Sequence, residues 1–111
     1  MLLRLDVEGH PGHAVVLVAG EIDISTSDDL ADTVAGALDG HGVVLLDLAE
    51  VTFIDSSGLG VLVRSHRHAE AADAWFAVVH PSRQTRRLIT VLGLDQLVHV
   101  HDSHEQALAA R

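Results

Sequence analysis

The residues best suited to chemistry lie in one short run, Asp55-Ser56-Ser57-Gly58-Leu59-Gly60, which follows the apolar segment Val51-Thr52-Phe53-Ile54. An acid, two adjacent hydroxyls and two glycines between an apolar run and an amphipathic one read as a strand-end loop that delivers a serine to the start of a helix. A hydroxyl there can accept a phosphoryl group. Free backbone N–H groups and the positive end of the helix dipole favour a phosphate at that point. The plainer reading is helix capping, with Ser57 as N-cap and Asp55 as a solvated turn residue; such a cap is worth about 1 kcal/mol. Three features go beyond it. Two hydroxyls stand where one cap would serve. Gly58 and Gly60 remove side-chain bulk, so another molecule can approach the backbone. Asp55 sits beside the hydroxyls, where it either orients Ser56 or caps a loop N–H. That structural role is favoured over a catalytic base, because a kinase supplies its own base.

Other chemistries find less support. Ser57 is not in a G-x-S-x-G elbow, because position 55 is Asp. Gly58-x-Gly60 falls short of a dinucleotide fingerprint, and the chain has no G-x-x-x-x-G-K-[ST]. Asp47 and Asp55 could suggest an aspartate phosphoacceptor, but that chemistry uses a late lysine and this chain has none. Nine histidines are present. The best metal candidate among them is His99 and His101 on one strand face, with Asp102 and His104 nearby. Without cysteines or a helical H-x-x-x-H, they read as edge-strand histidines, and no metal or other cofactor is expected. Arg83, Arg86 and Arg87 read as a solvated helix face.

The elements that must hold the loop are legible from periodicity. Leu3, Leu5 and Val7 alternate with polar residues and predict a half-buried strand. Gly9-His10-Pro11-Gly12 is turn chemistry. Ala14 to Ala19 then predicts a hairpin partner that Gly20 ends. Thr26 or Ser25 is the expected N-cap of a first helix with Leu30, Val34 and Leu38 inward, stopped by Gly40-His41-Gly42. Val43 to Leu48 is nearly all apolar, as in a strand covered on both faces. A second helix is expected from about Gly58 to Ala72, with Leu59, Leu62, Val63 and Ala69 inward. Val61 lies off that stripe and reads as a candidate partner contact. Ala74 to Val79 predicts a strand. Pro81-Ser82 opens a third helix, with Leu88, Ile89 and Leu92 inward and Gly93 closing it. A short strand, Leu97 to Val100, precedes a terminal helix opened by Ser103 and Gln106. Alternating strands and helices imply an α/β fold: a mixed sheet of four to five strands, with an N-terminal hairpin, a parallel remainder and about four helices.

The chain has 111 residues, which points to a single domain over residues 1–111 that buries roughly 60–70% of its unfolded surface. It has no cysteine, which excludes a disulfide framework or a thiol switch. Its net charge of −9, with 16 acids against seven arginines, argues against nonspecific binding to nucleic acid or anionic membranes. No apolar run reaches membrane-span length and Met1 to Asp6 lacks a signal-peptide pattern, so a cytoplasmic location is expected.

The string Phe53-Ile54-Asp55-Ser56-Ser57-Gly58-Leu59-Gly60, with Gly20-Glu21-Ile22-Asp23 upstream and Leu92-Gly93-Leu94 downstream, resembles the STAS family of anti-sigma factor antagonists. The resemblance runs from about Leu3 to Ala110 in the same element order. It implies a STAS fold and a binding switch rather than an enzyme. It places phosphorylation on Ser56, the serine directly after the acid, although spacing alone leaves Ser57 open. The implied partners are an anti-sigma factor with serine kinase activity, which the unmodified protein binds, and a serine phosphatase that resets it. Asp55, Ser57 and Gly58 would form the phosphosite loop. Asp23, Ser25, Thr26, Leu59, Gly60 and Val61 would form the docking face, on a monomer or weak dimer. Two alternatives remain: an accessory subunit of a lipid-transport ABC complex, and a small hydrolase or nucleotide-binding enzyme.

Overall fold

The computed structural model describes residues 3–111; Met1 and Leu2, part of the stretch read above for a targeting signal, lie outside the described residues. The elements follow the order β1 (Leu3–His10), β2 (His13–Ile22), α1 (Ser27–His41), β3 (Val43–Ile54), α2 (Ser56–Ala71), β4 (Trp75–Val79), α3 (Arg83–Val91), a 3-10 turn (Leu94–Gln96), β5 (His99–His101) and α4 (His104–Ala110). They build one five-stranded sheet in the order β1-β2-β3-β4-β5. β1 and β2 pair antiparallel around the Pro11-Gly12 turn, and the other three pairs are parallel. The expected mixed α/β sheet with a leading hairpin and four helices is what the chain forms.

Each parallel crossover steps to the next strand in the same direction. A constant hand therefore lays α1, α2 and α3 on one face of the sheet. The larger core lies there: Val16, Val18, Val44, Leu46, Phe76 and Val78 from the strands meet Leu30, Val34, Leu38, Leu59, Leu62 and Ile89 from the helices. Burying each large aliphatic side chain contributes about 1.5–3 kcal/mol as an upper value. Strand alternation sends Val15, Leu45, Ala77 and Val79 to the opposite face, where Ala107 of α4 covers them. Both faces of the first half of β3, Val43 to Leu48, are thus covered, which explains its continuous apolar run.

Several boundaries differ from expectation. Gly20 does not end β2. It takes φ +113° inside the strand, beside a register shift between Gly20 and Glu21, and pairing continues to Ile22. A glycine at a bulge lets the strand bend and continue. β3 likewise runs to Ile54, so Val51 to Ile54 is strand rather than loop. α2 begins at Ser56, two residues earlier than expected, because Asp55 and not Ser57 is its N-cap. β4 starts at Trp75, and β5 covers His99–His101 after the 3-10 turn.

Two side chains also face the other way. Val61 is fully buried, and Leu92 is 58% exposed. Val61 lies on the buried face of α2 that Gly58, Leu62, Ser65 and Ala69 share, a stripe whose small and polar members conceal it in the sequence. α3 ends at Val91, so Leu92 lies beyond its buried stripe, before Gly93 turns the chain at φ +72°. Caps elsewhere agree with the sequence: the Ser82 and Ser103 hydroxyls accept from the N–H groups of Thr85 and Gln106. Gly42, in the left-handed region, terminates α1.

Candidate functional site

β2 and β3 end level with each other. Ile22 pairs with Ile54, and the Asp55 N–H donates to the Ile22 carbonyl at 3.2 Å. The loops that leave the two strands therefore lie side by side, and they repeat one device, an aspartate gripping a serine two residues on. Asp23 Oδ1 accepts from the Ser25 N–H at 2.9 Å and the Ser25 hydroxyl at 2.6 Å. Asp55 Oδ1 accepts from the Ser57 N–H at 2.9 Å, the Gly58 N–H at 3.2 Å and the Ser57 hydroxyl. Such turns arise because a short carboxylate reaches its own backbone two residues later.

This arrangement separates the two adjacent serines. Ser57 is half-buried with its hydroxyl held by Asp55. Ser56 is exposed, and among the described residues its hydroxyl has no hydrogen-bond partner. Asp55 thus orients Ser57 rather than Ser56, and it takes two of the N–H groups in the first turn of α2. Of the donors expected to greet a phosphate, those of Ser57 and Gly58 are already engaged.

The Ser57 hydroxyl is the largest influence holding the Asp55 carboxyl below its ordinary pKa. Loop N–H groups reinforce it, while partial desolvation and the neighbouring Asp23 charge oppose it. Asp23 is held low in the same way, first by the Ser25 hydroxyl. Both loops therefore present carboxylates at neutral pH.

Thr26 occupies the N-cap position of α1, but its hydroxyl does not cap the helix. It donates instead to the Glu21 carbonyl at 3.1 Å and accepts from the Asp23 N–H at 3.0 Å. Thr26 is buried and serves as an internal brace of the Asp23 loop rather than as exposed surface.

The glycines divide as well. A Cβ on Gly58 would stand 2.5 Å from Ile54 Cγ1 and 2.7 Å from Ile22 Cγ2, whereas one on Gly60 would meet nothing within 4 Å. Gly58 lets α2 close onto the two strand ends. Only Gly60 leaves room for another molecule. Beside it lies a groove of about 340 Å³ lined by Ser56, Leu59, Gly60, Val63, Leu92 and Leu94. Leu59 is buried and contributes to the groove floor. Val61 points into the core and is no part of this surface. Two exposed apolar residues near the loops that sequence reading did not place there are Leu92, on the groove wall, and Ile24, 83% exposed at the tip of the Asp23 loop. An isoleucine inside the polar run Asp23-Ile24-Ser25-Thr26 was the available signal for the second.

The histidine group weighed for metal binding is divided by the fold. His99 stacks on Trp75 at 4.9 Å, and Asp102 pairs with Arg86. His104 turns away to meet Asp47 and His80.

A family model described as the STAS domain matches residues 4–107. The chain is 29% identical over 110 residues to an anti-sigma F factor antagonist of Paenibacillus polymyxa, covering 97% of this chain and 94% of the relative. It is 30% identical over 106 residues to an anti-sigma-B factor antagonist of Staphylococcus epidermidis, covering 95% and 98%. Among solved structures, an anti-sigma factor antagonist from Mycobacterium paratuberculosis superimposes with a TM-score of 0.86 at 32% identity, covering 98% of this chain and 93% of that one. A five-stranded sheet with one antiparallel hairpin, a serine loop at the start of α2 and a family match across nearly the whole chain agree, and the protein belongs to the STAS-domain family.

Proposed function

We propose that this protein is an anti-sigma factor antagonist that works by phosphorylation-gated partner switching at Ser56. The observation that carries the reading is the contrast between neighbouring serines: Ser56 is exposed and its hydroxyl unengaged, while Asp55 holds Ser57. The names of the relatives support an anti-sigma factor as the partner. Unmodified protein docks through the Asp23 loop, Gly60 and the groove walled by Leu92. The partner is an anti-sigma factor with serine kinase activity, and docking frees its sigma factor. The kinase brings its own base, so Asp55 serves as the helix cap that presents Ser56.

A phosphate on Ser56 adds about −1.5 to −2 charges beside two carboxylates that are already ionised. Asp55 occupies the N–H groups that would otherwise neutralise part of that charge. Leaving the charge buried and unpaired in the interface costs about 2–5 kcal/mol. That corresponds to a loss of affinity of roughly thirtyfold to several-thousandfold. No refolding is needed for release, and a serine phosphatase restores the binding form.

The test incubates the protein with its anti-sigma factor and ATP, then reads intact mass and complex formation. Wild type and Ser57→Ala should gain one phosphoryl group and dissociate. Ser56→Ala should stay unmodified and bound. Release of Ser56→Ala under these conditions would place the site elsewhere.

A further inference from the structure

Asp47, His80 and His104 lie far apart in sequence, on β3, just after β4 and at the first position of α4. The fold brings them together on the face of the sheet away from α1, α2 and α3. Asp47 Oδ2 meets His104 Nε2 at 2.7 Å and His80 Nδ1 at 3.1 Å, and one ligand atom from each residue lies within 4.8 Å of the others. We propose that these three side chains form a binding site for a divalent transition metal of the Zn²⁺ class, which ties α4 to the sheet.

Five features fit this chemistry. Two imidazoles and one carboxylate are a ligand set that suits Zn²⁺ and its neighbours and leaves a further position for water. Neighbouring ligand atoms in a tetrahedral zinc site stand about 3.3 Å apart, from bonds of about 2.0–2.1 Å. The His80 contact already has nearly that spacing, His104 needs to retreat from Asp47 by about half an ångström, and the two imidazoles, whose ligand atoms lie within 4.8 Å, need to close to it by rotation. Asp47 is buried, with 7% of the residue exposed, and its other oxygen accepts from the Ala49 N–H at 2.9 Å. That bond aims Oδ2 at the histidines, as outer-sphere partners do in metal sites. His80 takes φ +54°, a left-handed conformation that a non-glycine residue adopts at a cost and that sets its ring against Asp47. Asp47 and His80 also line an open groove of about 350 Å³, with Arg4, Asp6 and Glu50 among its walls, which gives an ion and its water a way in.

The fold explains what the ion would do. α4 has seven residues, and only Ala107 among them is buried. A helix that short is marginal by itself. A ligand at its first residue, joined through the metal to β3 and β4, would fasten it over the smaller core.

The experiment uses the full chain, stripped with chelator, titrated with Zn²⁺ by calorimetry and with Co²⁺ by visible absorption. The expected result is one saturable site, four-coordinate Co²⁺ bands and a rise in Tm with Zn²⁺. His80→Gln and His104→Gln, both at partly exposed positions, should keep the fold by circular dichroism and bind at least roughly tenfold more weakly. His66→Gln/His99→Gln should bind like wild type. Absence of saturable binding overturns the proposal. So does binding that survives both the His80 and His104 substitutions, or that is lost instead in His10→Gln/His13→Gln, where two rings stack at 4.9 Å.

Discussion

At the scale of single residues, the distinction that matters is between two serines with the same side chain and different surroundings. Asp55 grips the Ser57 hydroxyl and leaves that of Ser56 to solvent. The grip has a titration signature, because the Ser57 hydroxyl is the largest influence lowering the Asp55 pKa. In a side-chain carboxyl NMR titration, Ser57→Ala should move the Asp55 midpoint up toward the ordinary value of about 3.9, and Ser56→Ala should leave it in place. An unchanged midpoint in Ser57→Ala would show that the hydroxyl is not the cause. The consequence for stability follows in sign. A carboxyl whose folded-state pKa is depressed stabilises the fold at pH values above its unfolded pKa. That contribution fades as pH falls below about 4 and through the folded-state pKa. The gap in urea midpoint between wild type and Asp55→Ala should therefore be full at pH 7 and close over that acidic window.

At the scale of elements, α2 carries two glycines that read alike in sequence and do opposite things. Gly58 packs against Ile22 and Ile54 with no space for a methyl group, and Gly60 faces open space. Gly58→Ala should push α2 off the ends of β2 and β3 and destabilise the fold by about 1–3 kcal/mol. Gly60→Ala removes a helix-weakening residue from an exposed position and should be neutral or stabilising by up to about 1 kcal/mol. Urea unfolding of the pair checks both signs at once. If the groove beside Ser56 is the docking face, Gly60→Ala should also weaken anti-sigma factor binding while the fold gains. Undiminished binding in Gly60→Ala would argue against that face.

At the scale of the whole molecule, the two sides of the sheet are unequally covered. Three helices close the larger core, and the seven residues of α4 close the smaller one. Stability should be distributed accordingly. In native-state hydrogen exchange of the metal-free protein, amides of β2, β3 and β4 should open only with global unfolding, and those of α4 should exchange through local opening. Equal protection of α4 and β3 would contradict this ordering. The proposed partner switching would need only a charge change at one end of the sheet, and a fold that stays closed behind the loop is compatible with it. Among the described residues no helix is long and apolar enough to cross a membrane.

Local chemistry determined much of this before any coordinates. Alternation of two and recurrence of four marked strands and helices, Ser82, Ser103 and Gly42 marked ends, and the Asp55-Ser56-Ser57-Gly58 string marked the loop, because these signals act over a few bonds of chain. Tertiary structure decided what depends on distant neighbours. Gly20 stays in β2 because β3 continues to pair beyond it. Val61 faces inward because α2 packs through a stripe of small residues, Gly58, Ser65 and Ala69, that apolar periodicity does not mark, and Leu92 faces outward because α3 ends at Val91. Asp47, His80 and His104 meet because the sheet order and α4 bring together segments up to 57 residues apart. Which serine is free rests on a contact spanning two residues, held in place by a tertiary one. Spacing allowed either hydroxyl, and the reach of Asp55 from the end of β3, pinned by its N–H to Ile22, engaged one of them.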